Sequence, residues 1–240
     1  MSNPMLSTIA VQVDPAVLQR HPRLRITGMA VDGVSPRFED YPQLKDYLEQ
    51  VREEFDPDHP LYRQEIQRWR AAYGQMGIKP SKHHCSLESL YRRMSKGHLP
   101  FGIHPLVDLY NAISIRYGLC MGGYDLDRIR SPITLLSVTE EAQMTPIGSS
   151  DPIHLQPGSI AYASASEIIC AYWNHRDADA TKISESTRRA IFFIDEVEPE
   201  EGRAPQALSD LKKLLAIPMN SLSKTFVTDS QNPSLELPLK

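Results

Sequence analysis

The hydrophobic residues change rhythm at Gly118, and that change limits the folds open to this chain. Before Gly118, apolar side chains recur at helical spacing. After it they fall into short β-type runs separated by Pro, Gly, Ser and Asp. In "YPQLKDYLEQVREEF", Leu44, Tyr47, Leu48, Val51 and Phe55 share one helical face, and Pro42 suits a first turn. "PLYRQEIQRWRAAYGQMG" gives a second helix with a Tyr62, Ile66, Trp69 and Tyr73 stripe, ended by Gly74 or Gly77. "SLESLYRRMSKG" and "HPLVDLYNAISIRYG" give two more, the latter stopped by Gly118, with Asp108 and Asn111 away from its apolar face. "SPITLLSV", "SIAYAS", "EIICAYW" and "RRAIFFIDEV" then read as strands, and "APQALSDLKKLLAIPM" as a late helix.

The first residues also read as β, through the alternating Ile9, Val11 and Val13 and the Leu24–Ile26 stretch. A helix-rich first half and a sheet-rich second half predict an α+β fold. One globular domain is expected over 1–218, with its helical part at about 40–118 and its β-rich part at about 119–200. A tail, 219–240, rich in Ser, Thr and Pro, is expected to be extended or partly disordered. Nothing apolar is long enough to span a bilayer, and "MSNPMLSTIAVQVDP" has no signal-peptide pattern. Cys85, Cys120 and Cys170 are far apart and odd in number, which suits buried thiols in a cytoplasmic protein.

Charge is unevenly spread. The chain carries −4 overall, yet Arg63 to Lys96 holds eight Lys or Arg against Glu65 and Glu88. Arg63, Arg68, Arg70, Lys79, Lys82, Arg92 and Arg93 are candidates for nucleic-acid phosphates; a solvated helix face is the alternative. "HHCSLE" at 83–88 is a poor metal motif, because adjacent side chains diverge. No glycine-rich phosphate loop and no nucleophile elbow is present.

"AYWNHRDADATKI", from Ala171 to Ile183, crowds polar groups immediately after an apolar run. It is either a polar loop closing a hairpin or the wall of a pocket. "GGYDLDRI" at 122–129 admits close approach at its glycines, or is a turn followed by a strand.

Taken in order, "LVDLYN", "GGYDLDRI", "TPIG", "PGSIAYAS", "WNHRDADATKI" and "ESTRRAIFFID" resemble the B3/4 domain, the editing domain of the phenylalanyl-tRNA synthetase β-subunit, and most of all freestanding proteins of that type. The resemblance implies a B3/4-like fold around a central pocket. It implies trans hydrolysis of mischarged aminoacyl-tRNA, with no metal or other cofactor, no DNA and no membrane partner. A non-catalytic module that binds tRNA or an amino acid is the alternative. The family's pocket histidine is replaced here by Gly122, and a family acidic residue falls near Asp195. On this reading Asn174, Asp125 and His175 orient the reacting groups. Asn111, Gly122, Gly123, Tyr124, Trp173, Arg176, Asp177 and Thr181 hold the substrate. Trp173 would offer an apolar or stacking wall, Arg176 a bidentate anion contact and Thr181 a ribose contact, while Asp177 would either take an ammonium or hold Arg176 in a pair that fixes the loop.

Overall fold

The computed structural model describes residues 7–215 and 223–239. The alternating residues at the start form β1 (Thr8–Val13), followed by a short helix α1 (Pro15–Arg20) and β2 (Arg25–Asp32). Four helices follow: α2 (Leu44–Glu54), α3 (Pro60–Gln75), α4 (Ser86–Met94) and α5 (Pro105–Tyr117). Pro60 and Pro105 occupy first-turn positions, where a missing N–H costs nothing. His59 and His104 cap the same helices through Nδ1, each 3.2 Å from the backbone N–H of the second helical residue. Gly118, at φ +61°, ends α5 in the left-handed region. Pro42 lies outside α2, which begins at Leu44 with Gln43 as its cap.

The second half is built of β3 (Cys120–Asp125), β4 (Ile133–Ser137), β5 (Ala142–Met144), β6 (Ile153–Leu155), β7 (Ile160–Ser164), β8 (Glu167–Ala171), β9 (Arg176–Asp177) and β10 (Arg189–Glu196). Helix α6 (Arg203–Leu214) and strands β11 (Ser223–Asp229) and β12 (Ser234–Pro238) complete it. The fold is α+β. A six-stranded sheet runs β12-β1-β4-β7-β8-β9, a four-stranded sheet runs β11-β2-β10-β3, and β5 pairs with β6.

Two differences from the sequence expectation have physical reasons. "GGYDLDRI" is a strand followed by a turn, not the reverse. Its glycines pair with Phe192 and Phe193 of β10, and Asp125 caps the 3-10 turn Leu126–Arg128. The C-terminal segment, where described, is extended but built into the fold: β11 adds to β2 and β12 adds to β1. Residues 219–222 and 240 of the expected tail lie outside the described residues.

β10 is the central layer. All eight of its residues are buried, which is why "RRAIFFIDEV" reads as a continuous apolar run rather than an alternation. Phe192 meets Tyr110 of α5 on the helix side, and Phe193 meets Tyr162 of β7 on the other side. Phe193 and Asp195 are two apart, so Asp195 also points between the two sheets. Gly28 of β2 is covered by the Phe226 ring from β11, with the Phe192 carbonyl close behind it. A side chain there would collide with both.

Candidate functional site between the two sheets

The β8–β9 connection contains two successive non-glycine residues in the left-handed region, Tyr172 at φ 51° and Trp173 at φ 70°. Such conformations cost of order 1–3 kcal/mol each and persist only where packing enforces them. Here Trp173 is fully buried, edge-on to Trp69 at 5.1 Å and to His21 at 5.2 Å. Its N–H donates to the Ile160 carbonyl at 2.7 Å. The turn thereby sends Asn174 inward.

Asn174 accepts from the Tyr73 hydroxyl of α3 at 2.9 Å and donates from Nδ2 to Asp195 Oδ2 at 3.3 Å. The Tyr162 hydroxyl donates to Asp195 Oδ1 at 2.5 Å. Burial pushes the Asp195 carboxyl up to about 7, against the opposing pull of Tyr162, Asn174 and the nearby Trp173 indole. That indole N–H lies close to Asp195, yet makes no hydrogen bond of acceptable geometry. A second carboxyl, Asp177, accepts from the Tyr124 hydroxyl at 2.9 Å, and burial raises it also. Both carboxyls line one cavity, which Ser86, Gly122, Cys170 and Phe193 also border. Its free volume of about 20 Å³ admits one water molecule. A carboxyl whose proton affinity burial has raised, beside a water-sized space, has the chemistry to exchange a proton with water held there.

The sequence pattern of the B3/4 domain matches residues 68–212. The chain belongs to the B3/4 domain family. An N-terminal fragment of the phenylalanyl-tRNA synthetase β-subunit from Pyrococcus horikoshii is similar in structure, with a TM-score of 0.48 and 12% identity. That similarity covers 95% of this chain and 54% of that one, so this chain spans about half of the fragment's length. No curated protein matches.

Of the residues that sequence reasoning assigned to the B3/4 pocket, Gly122, Tyr124, Trp173, Asn174 and Asp177 meet at this cavity. Gly122 faces it with room for a β-carbon, whereas Gly123 lies on the opposite face of β3 against Phe192 and Ile183. Asp125 is committed elsewhere: its oxygens accept from the Asp127 N–H at 2.9 Å and the Thr187 hydroxyl at 2.7 Å. Asn111 ties down the Pro100 carbonyl at 3.2 Å. Arg176 is exposed and donates to the Ile147 carbonyl at 2.9 Å, and Thr181 is buried in a separate 3-10 turn. His175 sits outside the cavity, with Nδ1 on the His84 carbonyl. Among the described residues, no helix is long and apolar enough to cross a membrane.

The basic run is partly consumed within the protein. Arg70 and Arg92 grip the buried Glu88 at 2.6 and 2.9 Å. Arg68 pairs with Glu65, Glu198 and Glu200. Arg63, Lys79, Lys82 and Arg93 have no carboxylate within 4 Å among the described residues, although Arg93 donates to the Leu99 carbonyl.

Residue-by-residue reading missed Tyr73, Tyr162, Ser86 and Cys170. Asp195 carried a signal, as a carboxyl inside an otherwise apolar strand. The family resemblance also pointed near it.

Proposed function

We propose that the protein is an aminoacyl-tRNA deacylase acting in trans, with Asp195 as the general base. The observation that carries this reading is the buried Asp195 carboxyl, held by Tyr162 and Asn174 at a water-sized cavity, where burial pushes it up to about 7. In its carboxylate form Asp195 takes a proton from the water as the water oxygen attacks the ester carbonyl. The ester C–O bond then breaks. The ribose oxygen takes that proton back from Asp195 as it leaves, releasing amino acid and tRNA and restoring the carboxylate. Gly122 borders the cavity, and the backbone N–H groups beside it are the candidate donors to the developing oxyanion. Asp177 is suited to the substrate ammonium, and Asn174 is a positioning residue for Asp195.

The small volume of the cavity favours a second reading. A site that holds one water must widen before an aminoacyl group enters, and a module that only binds tRNA has no such requirement. A turnover screen decides between them: catalytic amounts of protein, a panel of mischarged tRNAs, and loss of the ester followed in time. We expect hydrolysis of one or a few species, reduced roughly 100-fold or more by Asp195→Asn. A folded protein that hydrolyses none of them removes the deacylase reading and leaves the binding module.

A further inference from the structure

The 172–175 turn has a second side. Trp173 and Asn174 face the closed cavity, but Tyr172 lines an open groove of about 250 Å³. The groove lies between the loop after α3, with Lys79 and Lys82, and the β6–β7 turn, with Gln156 and Ser159; His83 completes it. No carboxylate lines it. The charge pattern is therefore opposite on the two sides: ammonium groups outside, the carboxyls of Asp177 and Asp195 inside.

The histidines add direction. The His84 carbonyl can only accept, so His175 Nδ1, at 2.8 Å, is the donor. Burial holds His175 neutral, at about 4, and lowers His83 as well. Neutral His175 therefore offers a lone pair at Nε2, and His83 Nδ1, 3.3 Å away, must donate to it. That leaves the lone pair of His83 on Nε2, which makes no hydrogen bond among the described residues. The ring is held in place, edge-on to His175 and against Tyr172, with both centroids at 4.9 Å. Two cationic donors and one fixed neutral acceptor in an open groove match a phosphate that sits beside a hydroxyl.

We infer that this groove is a nucleotide subsite, in which Lys79 and Lys82 take a phosphate and His83 Nε2 accepts from a ribose hydroxyl. The inference rests on the deacylase reading only for what is esterified to the nucleotide. With that reading, the turn separates the phosphate end of one ligand from its ammonium end.

Adenosine monophosphate is the probe, titrated at low salt into the folded protein and followed by calorimetry, with inorganic phosphate and 2′,3′-dideoxy-AMP alongside. We expect AMP to bind more tightly than phosphate, and the Lys79→Ala/Lys82→Ala protein to lose tenfold or more, roughly the scale of two charge-assisted contacts. Removing the hydroxyls weakens wild-type binding by roughly three- to tenfold, the worth of one hydrogen bond. In His83→Ala, whose fold is checked by its thermal transition, the same removal costs nothing further. AMP that binds no better than phosphate, or that ignores the lysine substitutions, overturns the assignment. AMP binding without ester hydrolysis keeps the groove and removes the deacylase. Hydrolysis without AMP binding removes the groove alone.

Discussion

Tyr162 on one sheet donates its hydroxyl proton to Asp195 on the other, at 2.5 Å. This bond crosses the interior and fixes the carboxyl at the cavity. Because burial raises Asp195 to about 7, the folded protein holds a proton there that the unfolded chain gives up near pH 4. Stability from this group is complete below about pH 4 and is lost as pH rises through 7. Asp195→Asn removes the dependence. Its unfolding free energy relative to wild type should therefore improve between pH 4 and pH 8, by at most about 4 kcal/mol. The new amide also faces the Asn174 amide, but that cost is the same at every pH. Chemical denaturation at both pH values gives the comparison; an unchanging difference would mean that Asp195 is not raised.

The left-handed turn makes a prediction about rank order. Trp173 is fully buried, so Trp173→Ala should cost roughly 3–5 kcal/mol. Glycine adopts positive φ freely, and alanine pays about 1–2 kcal/mol for it. Trp173→Gly should thus be more stable than Trp173→Ala, the reverse of the usual order in a strand or helix. Urea midpoints of the two proteins measure this directly. Alanine ahead of glycine would mean that Trp173 is not held in the left-handed region.

Gly28→Ala tests the contact between β11 and β2. The new methyl would meet the Phe226 ring, which can move, and the Phe192 carbonyl, which is locked in β10. Overpacking of this kind costs about 1–3 kcal/mol. Thermal unfolding should show the loss, and Phe226→Leu should restore only part of it.

RNA binding, if the deacylase or module reading holds, should be less salt-dependent than the count of basic residues suggests. Four of the seven candidates, Arg63, Lys79, Lys82 and Arg93, are without a carboxylate partner among the described residues. A plot of log affinity against log salt should then have a slope of roughly −3 to −4, rather than one set by seven contacts. Glu88→Gln, which releases Arg70 and Arg92, should steepen it. Filter binding across salt concentrations is sufficient, and a flat response would exclude phosphate binding by this face.

Within an element, the sequence was readable. Tyr62, Ile66, Trp69 and Tyr73 recur at helical spacing, and all are buried. The alternation in β1 and the glycine stop at Gly118 are equally local signals. What depends on pairing between distant segments was not readable. Tyr73, Tyr162, Asn174 and Asp195 come from four separate elements, and no periodicity links them. Arg68 looks like a surface cation because two of its carboxylate partners, Glu198 and Glu200, arrive from the far side of β10. Of the residues in "WNHRDADATKI", Trp173, Asn174 and Asp177 border the closed cavity. Arg176 and Thr181 do not, because Arg176 alternates with Asp177 in β9 and so faces outward, and Thr181 is buried in a separate 3-10 turn.

The last described strands bear on how the protein is made. β11 and β12 each lie beside one of the first two strands, so residues more than 190 apart in sequence complete both sheets. A ribosome releases β1 and β2 early and their outer neighbours late. Until β11 has emerged β2 keeps an unpaired flank, and until β12 has emerged so does β1, with Ile26 and Met29 in the one and Ile9 and Val11 in the other. Such flanks recruit other chains. The interval between the synthesis of β2 and that of β12 is therefore when these two strands are most open to pairing with another chain.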